Sequence, residues 1–243
     1  MKILLSNDDG YHAIGIQELI NQLEKEHDIY VAAPSKNHSA GSSALSVRKD
    51  IKINNIKKNH YIIDGTPSDC VHIALTCLIK DKIDMVVSGI NLGANLGDDV
   101  IYSGTVAAAL EGRHLEMSPI AISLVSHDKL SMSKAAIESS KIIQEIVCKE
   151  EIAKKTLLNI NIPDFESENL SFEFTRLGKR GIPLPASNIK DDFYKIGAAG
   201  PPEDDSEGTD FYCINKNKIS ITPLTYDLTN IEILKKLKIV FYI

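Results

Sequence analysis

Several features that mark other protein classes are missing from this sequence of 243 residues. It contains no tryptophan, and its 27 basic residues, outnumbered by 33 acidic ones, form no cluster interleaved with aromatic side chains. Binding to a nucleic-acid polymer begins from a basic surface, so we expect no such partner. A small anionic substrate is compatible with the net charge of −6, because a bound metal ion supplies positive charge locally.

Long apolar runs and cysteine motifs are also absent. No apolar run reaches the roughly 18 residues that a membrane-spanning helix needs, so we expect no membrane partner. The N-terminus has no basic segment followed by an apolar one, and we expect no signal peptide. The four cysteines form no C-x-x-C pair, which favours reduced core residues over metal ligands or disulfides, and a cytoplasmic location. Cys70 and Cys77, seven residues apart on a predicted helix, are expected on one buried face.

The motifs of several common catalytic classes are missing as well. The sequence has no G-x-x-x-x-G-K-[ST] phosphate loop and no G-x-G-x-x-G after its first strand. It has no G-x-S-x-G nucleophile elbow. Asp8 and Asp9 are adjacent, so they do not match the D-x-D arrangement of haloacid-dehalogenase-like phosphatases.

Apolar strands alternate with amphipathic helices through the first two-thirds of the chain. Residues 2–6 predict a buried strand, 14–26 a helix and 28–33 the next strand, a unit that gives parallel neighbours. Further strands are predicted at 45–47, 51–53, 61–63, 85–88, 120–124 and 157–162, and further helices at 66–78, 103–114 and 133–148. We therefore predict an α/β fold with a Rossmann-like, mostly parallel sheet over residues 1–165 and helices on both faces.

The pattern changes after Pro163. Short alternating segments, interrupted by glycine and proline, predict strands at 172–176, 193–196, 211–214 and 219–221. We interpret residues 166–228 as C-terminal β-hairpin extensions used in oligomerisation. A final helix within 229–243 is expected to pack back, so that residues 1–243 form a single domain.

The first strand leads directly into Asp8, Asp9 and Gly10. In an open α/β sheet, ligands bind at the carboxyl ends of the strands. Two carboxylates at that position are able to hold a hard divalent cation through oxygen ligands. The alternative is a solvated turn, since Asn, Asp and Gly are common turn residues.

Two further loops are predicted at the same edge of the sheet. Residues 35–46 are rich in serine and 89–99 in glycine and asparagine, and such oxygen donors suit Mg²⁺, Mn²⁺ or Ca²⁺ better than zinc or copper. Ser103-Gly104-Thr105 opens a helix whose free N–H groups suit a phosphate, although a simple helix cap is the alternative. A cation beside a phosphate site suggests metal-assisted hydrolysis of a phosphate ester, in which the metal lowers the pKa of a water molecule.

The histidines divide into two groups. His12 and His38 lie in the predicted site loops and are candidates for contact with substrate or for proton transfer. His72 and His114 are interpreted as ordinary helix residues, because neither has metal-ligand spacing with another histidine.

Motifs spread over nearly the whole chain carry a family resemblance. They are Asn7-Asp8-Asp9-Gly10, Ala33-Pro34 with Ser39 behind it, Gly65-Thr66-Pro67-x-Asp69-Cys70-Val71, Ser88-Gly89-Ile90-Asn91-x-Gly93-x-Asn95, Ser103-Gly104-Thr105-Val106, Asn159-Ile160-Asn161-Ile162-Pro163, Thr175-Arg176, Glu207-Gly208-Thr209-Asp210 and Ser220-Ile221-Thr222-Pro223-Leu224. In this order they resemble the SurE family, the survival protein E nucleotidases. The sequence departs from the family pattern at Ala40, where glycine usually follows the serine, and at Asp64, where threonine or serine is common.

The resemblance implies a metal-dependent 5′-nucleotidase that hydrolyses nucleoside 5′- and 3′-monophosphates, with exopolyphosphatase activity as a possible addition. It implies one divalent cation per subunit, Mg²⁺ or Mn²⁺, and a C-terminal region that exchanges between subunits of a homodimer or homotetramer. The implied site residues are Asp8, Asp9, Ser39 and Asn91 as metal ligands, the two aspartates also as the catalytic pair, and Asn95, Ser103, Gly104 and Thr105 at the substrate phosphate. A non-catalytic nucleotide-binding protein is the alternative.

Overall fold

A computed structural model of the chain describes residues 1–126, 128, 131–149, 156–164 and 170–241. The strands are β1 (Lys2–Ser6), β2 (Asp28–Pro34), β3 (Ile53–Lys57), β4 (His60–Ile63), β5 (Met85–Leu92), β6 (Ile120–Val125), β7 (Leu157–Pro163), β8 (Phe172–Phe174), β9 (Lys179–Arg180), β10 (Ser187–Lys190), β11 (Phe193–Lys195), β12 (Pro202–Asp204) and β13 (Ile219–Leu224). The helices are α1 (Ile14–Leu23), α2 (Pro67–Ile73), α3 (Gly104–Leu110), α4 (Met132–Val147), α5 (Asp210–Asn215) and α6 (Ile231–Phe241). A π-helical turn, Ala74–Leu78, continues α2, and a 3₁₀ segment, Gly97–Tyr102, precedes α3.

Nine of the strands form one sheet in the order β3-β4-β2-β1-β5-β6-β7-β13-β8. The six strands from β4 to β7 run parallel, β3 and β13 are antiparallel to their neighbours β4 and β7, and β8 is parallel to β13. The predicted mostly parallel α/β sheet is therefore confirmed. The carboxyl ends of β1, β2 and β5 meet at one edge, because these three strands are consecutive neighbours.

Apolar side chains fill both faces of the sheet. Ile3 and Leu5 pack into the core that α1 and α4 cover, whereas Leu4, between them, packs into the core under α2 and α3. This alternation follows from the two-residue period of a strand. Because β1 is buried on both faces, its carboxyl end has a fixed position.

The start of α2 follows its local sequence signals. Thr66 Oγ1 accepts from the Asp69 backbone N–H at 3.1 Å, and Asp69 Oδ2 accepts from the Thr66 N–H at 2.9 Å, forming a capping box with Pro67 in the first turn.

The prediction that Cys70 and Cys77 share a buried face is half wrong: Cys70 is buried, but Cys77 is exposed. The π-helical turn is wider than an α-helical one, so residues seven apart no longer share a face.

Several predicted bounds and one element type are corrected. Residues 211–214, predicted as a strand, lie in α5, because Thr209 Oγ1 accepts from the Tyr212 N–H at 3.1 Å and caps a helix. Residues 45–47 belong to no strand. Strand β5 continues to Leu92, so the predicted loop 89–99 begins later than expected. Helices α1 and α3 end earlier than predicted, at Leu23 and Leu110.

The C-terminal part of the chain exposes apolar side chains. Strands β10 and β11 form an antiparallel hairpin, and Phe193 on it is 73% exposed. The final helix α6 buries none of its residues, so the prediction that it packs back is wrong for the single chain. On this helix Leu234 is 39%, Leu237 48% and Phe241 73% exposed. The predicted segments 166–228 and 229–243 include residues 166–169, 242 and 243, which lie outside the described residues. No helix within the described ranges is long and apolar enough to cross a membrane.

Candidate active site

Asp8 is a buried carboxylate at the end of β1. The hydroxyl of Thr105 donates a 2.7 Å hydrogen bond to its Oδ1. Gly104 approaches it so closely that a Cβ on this glycine would lie 2.7 Å from Asp8 Cβ and 2.9 Å from Oδ2. Burial raises the pKa of Asp8 against the lowering effect of the Thr105 hydrogen bond. The first turn of α3 is therefore fitted against this carboxylate.

Asp9 is half-buried beside Asp8. The side-chain amide of Asn37 donates to its Oδ1 at 2.8 Å. Burial, and then the charge of Asp8, raise the pKa of Asp9. Within the part of the chain that the structure describes, neither aspartate forms an ion pair. The two carboxylates therefore place uncompensated negative charge at the edge of the sheet.

Ser39 lies in the exposed loop after β2, and two hydrogen bonds hold this loop near the aspartates. The His38 N–H donates to the Asp8 carbonyl oxygen at 2.7 Å. The Ser39 N–H donates to Oδ1 of Asn37 at 2.8 Å, while the amide group of Asn37 binds Asp9. Asn37 therefore connects Asp9, a predicted metal ligand, to the loop that carries Ser39, a second predicted ligand. We did not predict this role, although an asparagine two residues before the serine is a signal for a side-chain-stabilised turn.

Asn91, near the end of β5, is held by its own loop. Its Nδ2 donates to the Gly93 carbonyl oxygen at 2.9 Å, which leaves Oδ1 without a hydrogen bond to the described residues. Gly93 has a φ of +123°, a conformation that glycine adopts without strain. Because β5 pairs in parallel with β1, and Ser88 lies beside Ser6, Asn91 near the carboxyl end of β5 belongs to the same edge as the aspartates.

The phosphate-binding candidates lie in and before α3. Ser103 is the N-cap of α3, since its Oγ accepts from the Val106 N–H at 3.1 Å, and its own hydroxyl proton stays available. The hydroxyl proton of Thr105 is donated to Asp8 and orients that carboxylate, and contact of Thr105 with a phosphate stays a prediction. Asn95, in the loop after β5, is anchored by side chains of β6 and β7.

The donor atoms of this edge fit a hard cation. Asp8, Asp9, Ser39 and Asn91 offer carboxylate, hydroxyl and amide oxygens, the ligands that Mg²⁺ and Mn²⁺ prefer. Among the described residues, no three His, Cys, Asp or Glu side chains form a metal-binding group. A bound cation would also compensate the negative charge whose burial raises the pKa of both aspartates.

The structure gives the surroundings of three of the histidines discussed above. His12 is exposed, with its ring 5.1 Å from that of Tyr11. His38 is half-buried, and burial and then Lys36 lower its pKa. His72 lies in α2, 3.3 Å from Glu111. Contact of His12 or His38 with a substrate stays a prediction.

Comparison with known proteins gives the site its family context. The sequence model of the family described as Survival protein SurE matches residues 3–183. This chain belongs to the SurE family. The predicted family membership is thereby confirmed, and the matched region contains every residue of the candidate site.

Relatives of this SurE family member match over nearly their whole length. A protein of Ruthia magnifica subsp. Calyptogena magnifica, named 5′-nucleotidase SurE, is 48% identical over 232 residues, which are 94% of each chain. One of the same name from Haemophilus influenzae is 41% identical over 237 residues, 94% of this chain and 93% of the relative. The crystal structure of the Sure protein from Aquifex aeolicus matches with a TM-score of 0.86 and 35% identity, over 99% of each chain.

Proposed function

We propose that this chain is a divalent-metal-dependent phosphomonoesterase that hydrolyses nucleoside 5′-monophosphates to nucleoside and phosphate. The observation that carries the proposal is the pair Asp8 and Asp9, two adjacent carboxylates without a cationic partner in the described residues, beside the start of α3. Relatives named 5′-nucleotidase SurE, 41% to 49% identical, support a phosphoric monoester hydrolase.

One Mg²⁺ or Mn²⁺ ion per subunit would be held by Asp8, Asp9, Ser39 and Asn91. When bound, such an ion supplies positive charge for the phosphate oxygens and lowers the pKa of water. Thr105 holds the Asp8 carboxylate in one orientation by its 2.7 Å hydrogen bond. Asn37 does the same for Asp9 at 2.8 Å. The two aspartates thus act as ligands, and neither is required as an acid, a base or a nucleophile.

The substrate phosphate is oriented by groups at the start of α3 and in the loop before it. The Ser103 hydroxyl and the first N–H groups of α3 are the hydrogen-bond donors there. Gly104 has no side chain to keep a phosphate from the backbone. The Asn95 side-chain amide supplies a further donor. Together these groups fix the phosphoryl group beside the aspartates, so that attack and departure occur in one geometry.

The test is phosphate release from AMP by the purified chain. We expect release with Mn²⁺ or Mg²⁺, loss of release with a chelator, and loss by about 100-fold or more in Asp9→Ala. Asp28→Ala is the matched control, because this exposed carboxylate lies at the amino end of β2, on the opposite edge of the sheet. Activity that survives both the chelator and Asp9→Ala would overturn the mechanism. Nucleotide binding without phosphate release at either metal would favour a non-catalytic nucleotide-binding protein.

Substrate range forms a second part of the proposal. Family resemblance supports activity on nucleoside 3′-monophosphates and on short polyphosphates in addition to 5′-monophosphates. One enzyme preparation assayed with all three classes ranks them directly. Equal loss of each activity in Asp9→Ala shows that they share one site, whereas an activity that persists in this variant belongs to a contaminant or to another site.

Oligomerisation through the C-terminal extensions is supported by their exposed apolar side chains. On α6, Leu234 and Leu237 are 39% and 48% exposed, and on the hairpin Phe193 is 73% exposed. Burial of such a surface against a second subunit is favourable, by roughly 25 cal/mol per Å². Leu237→Glu is expected to dissociate the oligomer in light scattering, whereas Lys235→Glu on the same helix is not. A wild-type monomer with full activity would contradict this. The cytoplasmic location stays a prediction.

A further inference from the structure

Asn95 is held by three buried side chains from two other strands. Its backbone N–H donates to Asn161 Oδ1 at 2.9 Å, and its carbonyl oxygen accepts from Asn161 Nδ2 at 3.0 Å. The same carbonyl oxygen accepts from Asn159 Nδ2 at 2.8 Å. The Asn95 side-chain Nδ2 donates to Ser123 Oγ at 2.7 Å. Both the main chain and the side chain of Asn95 are thus fixed.

The two asparagines are costly residues for their strand. Asparagine is depleted in strands, and a buried amide destabilises the fold unless its hydrogen bonds are made. In β7 they alternate with Ile160 and Ile162, which pack into the core under α1 and α4, so both asparagines face the opposite side. Asn159 and Asn161 are fully buried there, and both direct their Nδ2 groups to Asn95. The strand pairing of β7 needs neither amide.

We propose that Asn161 is a positioning residue for phosphate-ester hydrolysis, which holds Asn95 so that its side-chain amide meets the substrate phosphate. This inference rests on the proposed function. Asn161 contacts the Asn95 main chain through both a donor and an acceptor, and two contacts fix the direction of the loop. Ser123 Oγ accepts a hydrogen bond from the Asn95 side-chain amide, and this bond fixes the direction of the second amide hydrogen. Asn159 adds a second donor to the same carbonyl oxygen.

Asn161 lies in a row of laterally neighbouring strand residues that also contains Asn91, a predicted metal ligand. By register, Asn91 lies beside Ser123, Ser123 beside Asn161, and Asn161 beside Ser220. Ser220 is fully buried like Asn161, but its hydroxyl bonds to Thr175 at 2.8 Å and not to Asn95. Ser220→Ala is therefore a matched control, since it removes a buried polar group from the neighbouring position without touching the Asn95 loop.

The experiment compares Asn161→Ala, Asn95→Ala, the double variant and Ser220→Ala, with AMP and Mn²⁺. We expect kcat/KM to fall by about 10- to 100-fold in each of the first two variants, because small displacements of a positioning group cost that much. The double variant is expected to lose no more than Asn95→Ala alone, since Asn161 acts through that side chain. Ser220→Ala is expected to keep kcat/KM, and the Mn²⁺ concentration for half-maximal activity stays unchanged in Asn161→Ala.

Two measurements do not depend on turnover. The backbone amide of Asn95 is expected to exchange its hydrogen faster in Asn161→Ala than in Ser220→Ala, because its acceptor is gone. The affinity for inorganic phosphate, measured by calorimetry, is expected to fall by about tenfold in Asn161→Ala and to stay unchanged in Ser220→Ala. Ser123→Ala is the second variant if Asn161→Ala does not fold, and it too is expected to add nothing to Asn95→Ala.

The outcomes separate the two proposals. Asn161→Ala with the activity of Ser220→Ala, or a double variant in which the two losses multiply, overturns the positioning role. A wild-type chain that releases no phosphate from AMP overturns the proposed function. If phosphate affinity then still falls in Asn161→Ala and not in Ser220→Ala, the placement of Asn95 by Asn161 stands without that function.

Discussion

The hydroxyl of Thr105 donates a 2.7 Å hydrogen bond to Oδ1 of Asp8, although 97 positions separate the two residues in the sequence. Both side chains are buried, with Asp8 at 4% and Thr105 at 0% exposure. The bond joins the end of β1 to the first turn of α3. The predicted metal ligand and the predicted phosphate-binding segment are thereby held in one orientation relative to each other.

Thr105→Val keeps the shape of this side chain and removes its donor. We expect the Mn²⁺ concentration for half-maximal activity to rise about tenfold, because a hydrogen bond to a charged group contributes about 1.5–3 kcal/mol. Metal titration of activity and metal binding by calorimetry measure the change. Thr105→Ser retains the hydroxyl and is expected to stay within about twofold of the wild type. Equal metal dependence in the valine and serine variants would contradict an orienting role for Thr105.

Gly104→Ala tests the close approach of α3 to Asp8. A methyl group at this position would lie 2.7 Å from Asp8 Cβ, so the helix start or the carboxylate has to move. We expect kcat/KM for AMP to fall by about 100-fold. The stability measured by thermal unfolding is expected to change little, because alanine favours the helical conformation by up to about 1 kcal/mol over glycine. Full activity in this variant would show that Asp8 tolerates displacement.

Local signals were sufficient where a residue's partner lies within one turn. The predicted helix starts at residues 66 and 103 are confirmed by the caps that Thr66 and Ser103 form, because a cap involves residues only three positions away. Thr209 carries the same signal ahead of 210–215, but the alternation of apolar residues there was interpreted as a strand. The capping residue was the better guide in this case.

Long-range partners were beyond the sequence. The motif order brought Asp8, Ser39 and Asn91 to one edge, but nothing in a single sequence shows that Asn37 donates to Asp9 or that Asn161 holds Asn95. These contacts depend on strand order and register, which place residues 66 positions apart beside each other. The oxygen-rich composition of the edge was predictable, whereas the hydrogen bonds that orient each oxygen were not.

His60 predicts a change of stability with pH. It is 5% exposed, its Nδ1 lies 3.0 Å from the Tyr11 hydroxyl, and burial, with a smaller effect of Lys57, lowers its pKa from 6.5 to about 4. Between these two values the unfolded chain binds a proton that the folded chain does not, so stability rises with pH. Above pH 6.5, protonation of His60 costs the folded chain no stability. The free energy of unfolding falls by about 3 kcal/mol as the pH drops to 4.

Urea unfolding of the wild type and of His60→Gln at several pH values isolates this contribution. Glutamine retains a hydrogen-bonding group for Tyr11 and does not titrate. We expect the free energy of unfolding of the wild type to fall relative to that of the variant as the pH decreases from 6.5 to 4. Parallel stability curves for the two proteins would show that His60 is protonated as readily in the folded state as in the unfolded one.

Asp210 connects the C-terminal segment to the loop before Ser103. Its fully buried carboxylate accepts from the N–H groups of Gly97 at 2.7 Å, Gly178 at 2.8 Å and Phe211 at 2.9 Å. Gly97 begins the 3₁₀ segment that ends one residue before Ser103, so this carboxylate anchors the approach to the phosphate-binding candidates. Burial raises the pKa of Asp210, while the three N–H donors oppose that effect.

Asp210→Ala is expected to leave buried N–H groups without acceptors and to lower the free energy of unfolding by about 3 kcal/mol. Activity measured at a temperature where the variant is folded is also expected to fall, since the 3₁₀ segment loses its anchor. Asp205→Ala is the control, because this acidic side chain in the same segment is exposed. A stability loss without any loss of activity would show that Ser103 keeps its position independently. In that case the C-terminal segment stabilises the fold without shaping the site.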